Sequence, residues 1–191
     1  MIYRRFGKRG FDICIALILL AISAPLFLLL AMIIKIDSKG PIFYRALRVG
    51  KFGEVFRMWK FRTMVNQADS IGPNLTAAHD HRITKAGRLV RRLSLDEMPQ
   101  LLNVLAGQMS LVGPRPEIPD IVATYTEEQK NVLTVRPGLT GYTQINGRDD
   151  LAIIPKLQLE NKYIAKMSLL FDLRIILFTL PAVLRGTGAR Y

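Results

Sequence analysis

From Ile13 to Ile34 the chain runs for 22 residues without a charge, as ICIALILLAISAPLFLLLAMII. A helix needs roughly 20 apolar residues to cross the hydrocarbon core of a bilayer, so this run commits the chain to a membrane before anything else is read. A cleavable leader would have a shorter apolar core followed by small residues. Here Lys35-Ile36-Asp37-Ser38-Lys39-Gly40 follows, so the segment is expected to be retained. Two features disturb a simple span. Pro25, near the middle, removes a helix hydrogen bond and crowds the preceding turn. Basic residues flank both ends: Arg4, Arg5, Lys8 and Arg9 before, then Lys35, Lys39, Arg45 and Arg48 after. The positive-inside bias therefore pulls both ends toward the cytoplasm. A helix broken at Pro25 that enters and leaves on one face satisfies both observations. A bitopic helix with a mild kink satisfies the length alone.

The remainder is long enough for one domain with a core, so residues 1–40 read as a membrane-embedded re-entrant helix with basic flanks and 41–191 as one domain on the same face as those flanks. Half the chain is hydrophobic, yet its formal charge is +12, which points to nucleic acid or an anionic membrane surface as partner. The single cysteine, Cys14, excludes an internal disulfide and a cysteine zinc cluster, and fits a reducing compartment.

The expected fold class is mainly α with a small β-hairpin (α+β). Residues 42–49 and 54–61 are rich in β-branched and aromatic residues around Gly50-Lys51-Phe52-Gly53, a hairpin pattern whose basic residues suit a wet face. Residues 65–81 read as loop; His79-Asp80-His81 within it has no third ligand in view and reads as a solvated turn. A helix is expected from Thr84, with Lys85, Arg88 and Arg92 on one face. Thr126-Glu127-Glu128-Gln129 fits a capping box opening a helix to about Leu133. Residues 136–148 are loop-like, with glycines whose N–H groups could cradle phosphate. Residues 151–184 hold apolar stretches broken by charge, none of spanning length, as expected of amphipathic helices lying in the membrane plane or of core helices.

The chemistry concentrates at Arg91-Arg92-Leu93-Ser94-Leu95-Asp96-Glu97-Met98-Pro99-Gln100. Ser94 as N-cap with Glu97 at N3 makes a capping box, and Asp96 as N-cap puts Pro99 at N3; both registers are open. Met98, Leu101, Leu102 and Leu105 are expected to form the buried face, with Gly107 ending the helix. Acids in a first turn offset the macrodipole for roughly 0.3–1 kcal/mol each, a sufficient structural reason for them. Arg91, Arg92 and Arg115 nearby change the weighing. Gly113-Pro114-Arg115-Pro116 is stiff, so Arg115 projects in a nearly fixed direction. Carboxylates inside an anion site call for a metal ion or a covalent step, and a carboxylate can attack phosphorus.

Several runs together resemble the bacterial sugar transferases, the monotopic phosphoglycosyl transferases that start lipid-linked glycan assembly. They are Lys60-Phe61-Arg62-Thr63-Met64, Arg82-Ile83-Thr84, Ser94 to Leu101, Asn103-Val104-Leu105, Ser110 to Pro116, Arg136-Pro137-Gly138, Gln144 to Arg148, and Ser168-Leu169 with Asp172-Leu173. The resemblance covers nearly the whole chain. It implies transfer of a sugar-1-phosphate from a UDP-sugar to polyprenol (undecaprenyl) phosphate, with release of UMP, at the cytoplasmic face of the inner membrane. It implies that Asp96 is the nucleophile of a phosphosugar-enzyme intermediate and that Glu97, with Asp96, holds Mg²⁺. It implies phosphate or nucleotide contacts for Arg115, and for Lys60, Arg91, Arg136, Gln144 and Arg148. Many members carry Ser-Pro at the membrane-helix break, where this chain has Ser23-Ala24-Pro25, and Trp where it has Tyr142. The bilayer, the donor and the lipid acceptor are the expected partners, with no nucleic acid; the chain is compatible with a monomer or a homodimer. The rival reading is a non-catalytic, membrane-tethered basic protein that binds anionic lipid or nucleic acid.

Overall fold

The computed structural model describes residues 3–72, 80–147 and 151–185. A π-helical turn, Tyr3–Gly7, leads into α1, Lys8–Asp37. Then come β1 (Phe43–Val49), β2 (Val55–Phe61), α2 (Ala68–Ile71), α3 (Lys85–Arg92), a 3₁₀ turn (Leu95–Glu97) and α4 (Gln100–Leu105). β3 (Ser110–Val112), α5 (Pro119–Val122), a 3₁₀ helix (Gln129–Thr134), β4 (Gly138–Thr140), α6 (Ile153–Lys166) and α7 (Leu169–Arg185) complete the order. The fold is mostly helical with a small β-hairpin, as its sequence suggests.

Among the described residues α1 is the one helix long and apolar enough to cross a membrane. The helical run of α1 continues through Pro25, which lies inside it. A proline inside a membrane helix is tolerated where neighbouring groups absorb the lost bond. Ser23 Oγ donates to Leu20 O at 3.4 Å, a local back-bond of the kind that bends helices. The buried positions Asp12, Ala16, Ser23, Leu30 and Ile34 are spaced by four, seven, seven and four, one stripe of the helix. Two clusters receive it. Phe11, Ile15, Ala16 and Leu20 join the main core around Leu101, Val104, Met109 and Val112. Leu26, Phe27, Leu30 and Ile34 join a second cluster with Phe61 and Val90. The opposite face, including Leu17, Ile18, Ile22, Leu28, Leu29, Met32 and Ile36, is exposed and apolar.

Polar clamps hold both ends of α1 to the domain. At its start, Lys8 Nζ lies 2.7 Å from Asp172 Oδ2, Tyr3 Oη donates to the same oxygen at 2.6 Å, and Tyr163 Oη donates to Asp172 Oδ1 at 2.8 Å. Asp12 Oδ1 accepts the Leu111 N–H. At its end, Arg62 Nη2 donates to Ser38 O at 2.6 Å, and Asp37 Oδ2 accepts the Ala86 N–H at the start of α3.

β1 and β2 pair antiparallel from Phe43↔Phe61 to Val49↔Val55, the expected hairpin. Period-two alternation puts Ala46, Phe56 and Met58 on the core side. Arg45 and Arg57 are exposed on the other face, with Arg45 stacked 3.7 Å over Trp59. Lys60 and Arg48 share the face of Ala46, Phe56 and Met58, and both are half-buried there. Asn103, fully buried, ties β2 to α4: its Oδ1 accepts Trp59 N–H and its Nδ2 donates to Arg57 O, both at 2.9 Å.

α3 begins as expected, with Thr84 Oγ1 accepting the Gly87 N–H, and Lys85, Arg88 and Arg92 are exposed. Gly87 packs against the end of β2: a Cβ there would stand 2.1 Å from Thr63 O. The Thr126–Gln129 capping box forms reciprocally, but it opens a 3₁₀ helix rather than an α-helix. The loop reading of residues 136–148 is corrected at its start. β4 pairs in parallel with β3, Ser110↔Gly138 and Val112↔Thr140, and a Cβ on Gly138 would stand 2.1 Å from Gly113 N. That approach requires glycine and sets the root of the Pro-Arg-Pro segment. The 151–184 stretch forms α6 and α7, whose Ile154, Leu170, Leu177 and Leu180 are exposed.

Candidate active site

Neither helix register expected for the acids is formed. Ser94 has φ 53°, a left-handed conformation that costs a non-glycine residue, and its side chain makes no capping bond. The chain therefore turns sharply after α3, and Asp96 and Glu97 lie on the separate 3₁₀ turn, before α4 starts at Gln100 with Pro99 as its N-cap. The buried face of α4 is Gln100, Leu101, Asn103 and Val104; Leu102 is exposed, unlike the face expected. Asn103 displaced it because the open edge of β2 needs that side chain's amide.

The turn carries Asp96 inward, to 7% exposure. Lys60 Nζ, from β2, lies 3.7 Å from Asp96 Oδ2 and donates to Glu97 Oε1 at 2.9 Å. Arg115 Nη2 lies 3.8 Å from Glu97 Oε1. Arg91 Nε donates to Thr63 Oγ1 at 2.7 Å, which orients its guanidinium at the end of α3. A small polar recess, open to solvent, is lined by Arg48, Lys60, Glu97, Gln100 and Arg115 among others. Burial raises the pKa of the Asp96 carboxyl, the charge of Glu97 adds to that, and the cations Lys60 and Arg91 oppose it. Burial likewise lowers the pKa of Arg91, and of Arg48 with Arg115 adding to the effect. The arrangement is a buried Asp96 next to Glu97 on the recess wall, with Lys60, Arg48 and Arg115 lining the same recess, which suits a polyanionic ligand.

The structure thus brings together Lys60, Arg91, Asp96, Glu97 and Arg115. It does not bring the Arg136 guanidinium to them. Arg136 Nε donates to Gly107 O at 2.7 Å, while Arg9 donates to Val104 O and Leu105 O, so both arginines cap the C-terminus of α4. Gln144 is buried; its Oε1 accepts from Thr143 Oγ1 at 2.9 Å, and its Nε2 has no hydrogen-bond partner among the described residues. Arg148 and His79 lie outside the described residues. Asp80 is committed to Arg82, which it grips through Nε and Nη2, and its carboxyl is held well below the usual range by those bonds. No cluster of three or more metal-ligating side chains occurs among the described residues.

Two site residues were missed in the sequence. Arg48 lines the recess; its signal was the alternation that puts it on the same hairpin face as Lys60. Glu160, 2% exposed on α6, accepts the Arg115 N–H at 3.0 Å. No local pattern marks it, because it is one acid in an ordinary amphipathic helix.

The family profile described as bacterial sugar transferase matches residues 3–186. EpsL of Bacillus subtilis (strain 168), named an uncharacterized sugar transferase, is 41% identical over 181 residues, which are 95% of this chain and 89% of that protein. The UDP-N-acetylgalactosamine-undecaprenyl-phosphate N-acetylgalactosaminephosphotransferase of Aeromonas hydrophila is 38% identical over 97% of this chain and 45% of its own length. The UDP-glucose:undecaprenyl-phosphate glucose-1-phosphate transferase of Escherichia coli (strain K12) is 36% identical over 92% of this chain and 39% of its own length. The match runs through the hairpin, the acid pair and the Pro-Arg-Pro segment alike, and the chain belongs to the bacterial sugar transferase family.

Proposed function

We propose that this phosphoglycosyl transferase moves a sugar-1-phosphate from a UDP-sugar to undecaprenyl phosphate, with Asp96 as the nucleophile. The observation that carries the reading is the buried Asp96 beside Lys60, Arg91 and the Glu97–Arg115 pair. An Asp96 carboxylate oxygen attacks the β-phosphorus of the donor. The bond from that phosphorus to the bridging oxygen breaks, and UMP leaves with the electron pair. A phosphate oxygen of the lipid then attacks the same phosphorus and displaces the Asp96 carboxylate, giving the sugar on a lipid diphosphate. A partly desolvated carboxylate of raised pKa is a better nucleophile than a solvated one. Lys60, Arg48 and Arg115 would offset the charge of the transferred phosphoryl group and the leaving nucleotide.

Glu97 on the recess wall with Asp96 adjacent to it in the chain fits Mg²⁺, which commonly takes one or two protein carboxylates and completes its shell with water and substrate phosphates. Asp96 and Glu97 would hold it, and it would supply Lewis-acid neutralisation of diphosphate oxygens. Lys60 already bridges the two acids, a sign that their combined field recruits a cation.

The membrane reading is monotopic and re-entrant. What supports it is that both ends of α1 are tied to one domain while its opposite face is apolar and exposed. A straight 30-residue helix would extend about 45 Å and a simple span would carry one end away from the domain, whereas a bend at Pro25 would keep both ends on one side. Cysteines placed at Tyr3 and at Lys39 should react with an impermeant thiol reagent from the same side of sealed vesicles; opposite sides would mean a span.

The catalytic reading is tested without lipid. Incubation with UDP-glucose or UDP-N-acetylgalactosamine should release one UMP per protein and add one sugar-phosphate to its mass, and Asp96→Asn should do neither. Full turnover without either partial reaction would replace the covalent route by direct attack of the lipid phosphate.

A further inference from the structure

The Pro114-Arg115-Pro116 segment has one backbone donor, since neither proline has an N–H. That donor, the Arg115 N–H, goes to Glu160 Oε1 at 3.0 Å, across 45 positions of sequence from α6. Gly113 N bonds Thr140 O and Gly138 N bonds Pro114 O, so the β3–β4 ladder anchors the segment on its N-terminal side. Glu160 therefore supplies the hydrogen bond that sets how the rest of the segment leaves the ladder, and with it the direction of the Arg115 guanidinium toward Glu97. Thr143 Oγ1 lies 2.9 Å from Gln144 Oε1 and 3.5 Å from Glu160 Oε1, so its contact with Glu160 is longer than that of the Arg115 N–H. Around this carboxylate stand Lys156, which pairs with Glu117, then Glu117 itself and Tyr125.

We propose that Glu160 is a positioning residue for Arg115, acting through the Arg115 backbone N–H and not by contact with substrate. A buried acid retained for this purpose carries a cost. Burial raises the pKa of its carboxyl to about 7, against the pull of Lys156. With the folded value above the unfolded one, the carboxyl's contribution to stability is fully present below about 4.5 and is lost as pH rises through about 7. A variant lacking this carboxyl should thus be no less stable than the parent at pH 8.

The inference rests on the proposed role of Arg115 at the acid pair, and the test separates the two. Glu160→Met removes the acceptor at similar volume, and Glu160→Gln keeps an oxygen there. Amide exchange at Arg115 should quicken at least about tenfold in Glu160→Met, the size of one charge-assisted hydrogen bond, and stay near the parent in Glu160→Gln. In UMP release from UDP-glucose or UDP-N-acetylgalactosamine, Glu160→Met should raise the donor KM by about tenfold, with Glu160→Gln within about threefold. Combining Glu160→Met with Arg115→Met should be no worse than Arg115→Met alone, because both remove one interaction. Unchanged exchange at Arg115, or losses that multiply in the double variant, would overturn the proposal. If Glu160→Met does not fold, Glu160→Asp, which withdraws the acceptor by one methylene, should show the same faster exchange. If the parent releases no UMP from either donor, the proposed function fails, and amide exchange alone decides the hold of Glu160 on Arg115.

Discussion

Among the carboxylates that the described residues set away from bulk water, two pairs are treated by the fold in opposite ways. Asp12 and Asp172 are met by donors set in place by the fold: the Leu111 N–H, two tyrosine hydroxyls and Lys8. Those donors come from the first turn, β3 and α6, so the pair fastens α1 to the far end of the chain. Asp96 and Glu97 are met instead by Lys60 and Arg115, long cations at the mouth of a recess. A buried acid whose acceptor capacity is used up by fixed donors is a rivet. An acid opposed by cations that a phosphate could recruit is poised for chemistry.

The comparison can be broken by exchanging the consequences of substitution. Asp96→Asn should lower turnover at least about a thousandfold, as loss of a nucleophile does, while the melting temperature holds or rises, because an unfavourably buried charge is gone. Asp172→Asn should do the reverse. It leaves Lys8 without its 2.7 Å partner, and should cost about 3–5 kcal/mol by denaturant titration, with the residual folded enzyme still forming the sugar-phosphate adduct. If Asp172→Asn abolished the adduct in folded protein, the clasp would belong to the site. A smaller effect sharpens the electrostatics. Lys60→Met removes a charge that opposes the raised pKa of Asp96, so the acid limb of the pH–rate profile should move to higher pH, with a loss of about ten- to a hundredfold in kcat/KM. An unmoved acid limb would separate Lys60 from the titration of Asp96. The smallest effect is expected at Arg136. Arg136→Met should cost about 1 kcal/mol of stability through the Gly107 cap and change the donor KM little. A large rise in KM would return Arg136 to the ligand.

Arg136 and its close neighbour Gly138 serve two different places: Gly138 lies on the recess wall and packs against Gly113. The arginine's own side chain points to the end of α4. Local patterns were most legible where one short stretch supplies both partners. The hairpin, the Thr84 cap and the Thr126–Gln129 box all formed. The helix start at the acids was misread because two standard caps fitted the letters, while the chain takes the left-handed turn at Ser94 that brings Asp96 under β2.

The sequence by itself determined the long apolar helix, the basic character, the hairpin, and the stretches that hold the acids and Arg115. Each follows from composition, periodicity or a motif within a few residues. Tertiary structure alone decided that α1 continues through Pro25, that β3 and β4 run in parallel, that Arg136 caps a helix, that Arg48 lines the recess, and that Glu160 meets the Arg115 N–H. Those outcomes depend on groups that meet across tens of residues. Which donor reaches an unpaired carbonyl, and which carboxylate loses its water, is set by packing and not by neighbours in the chain.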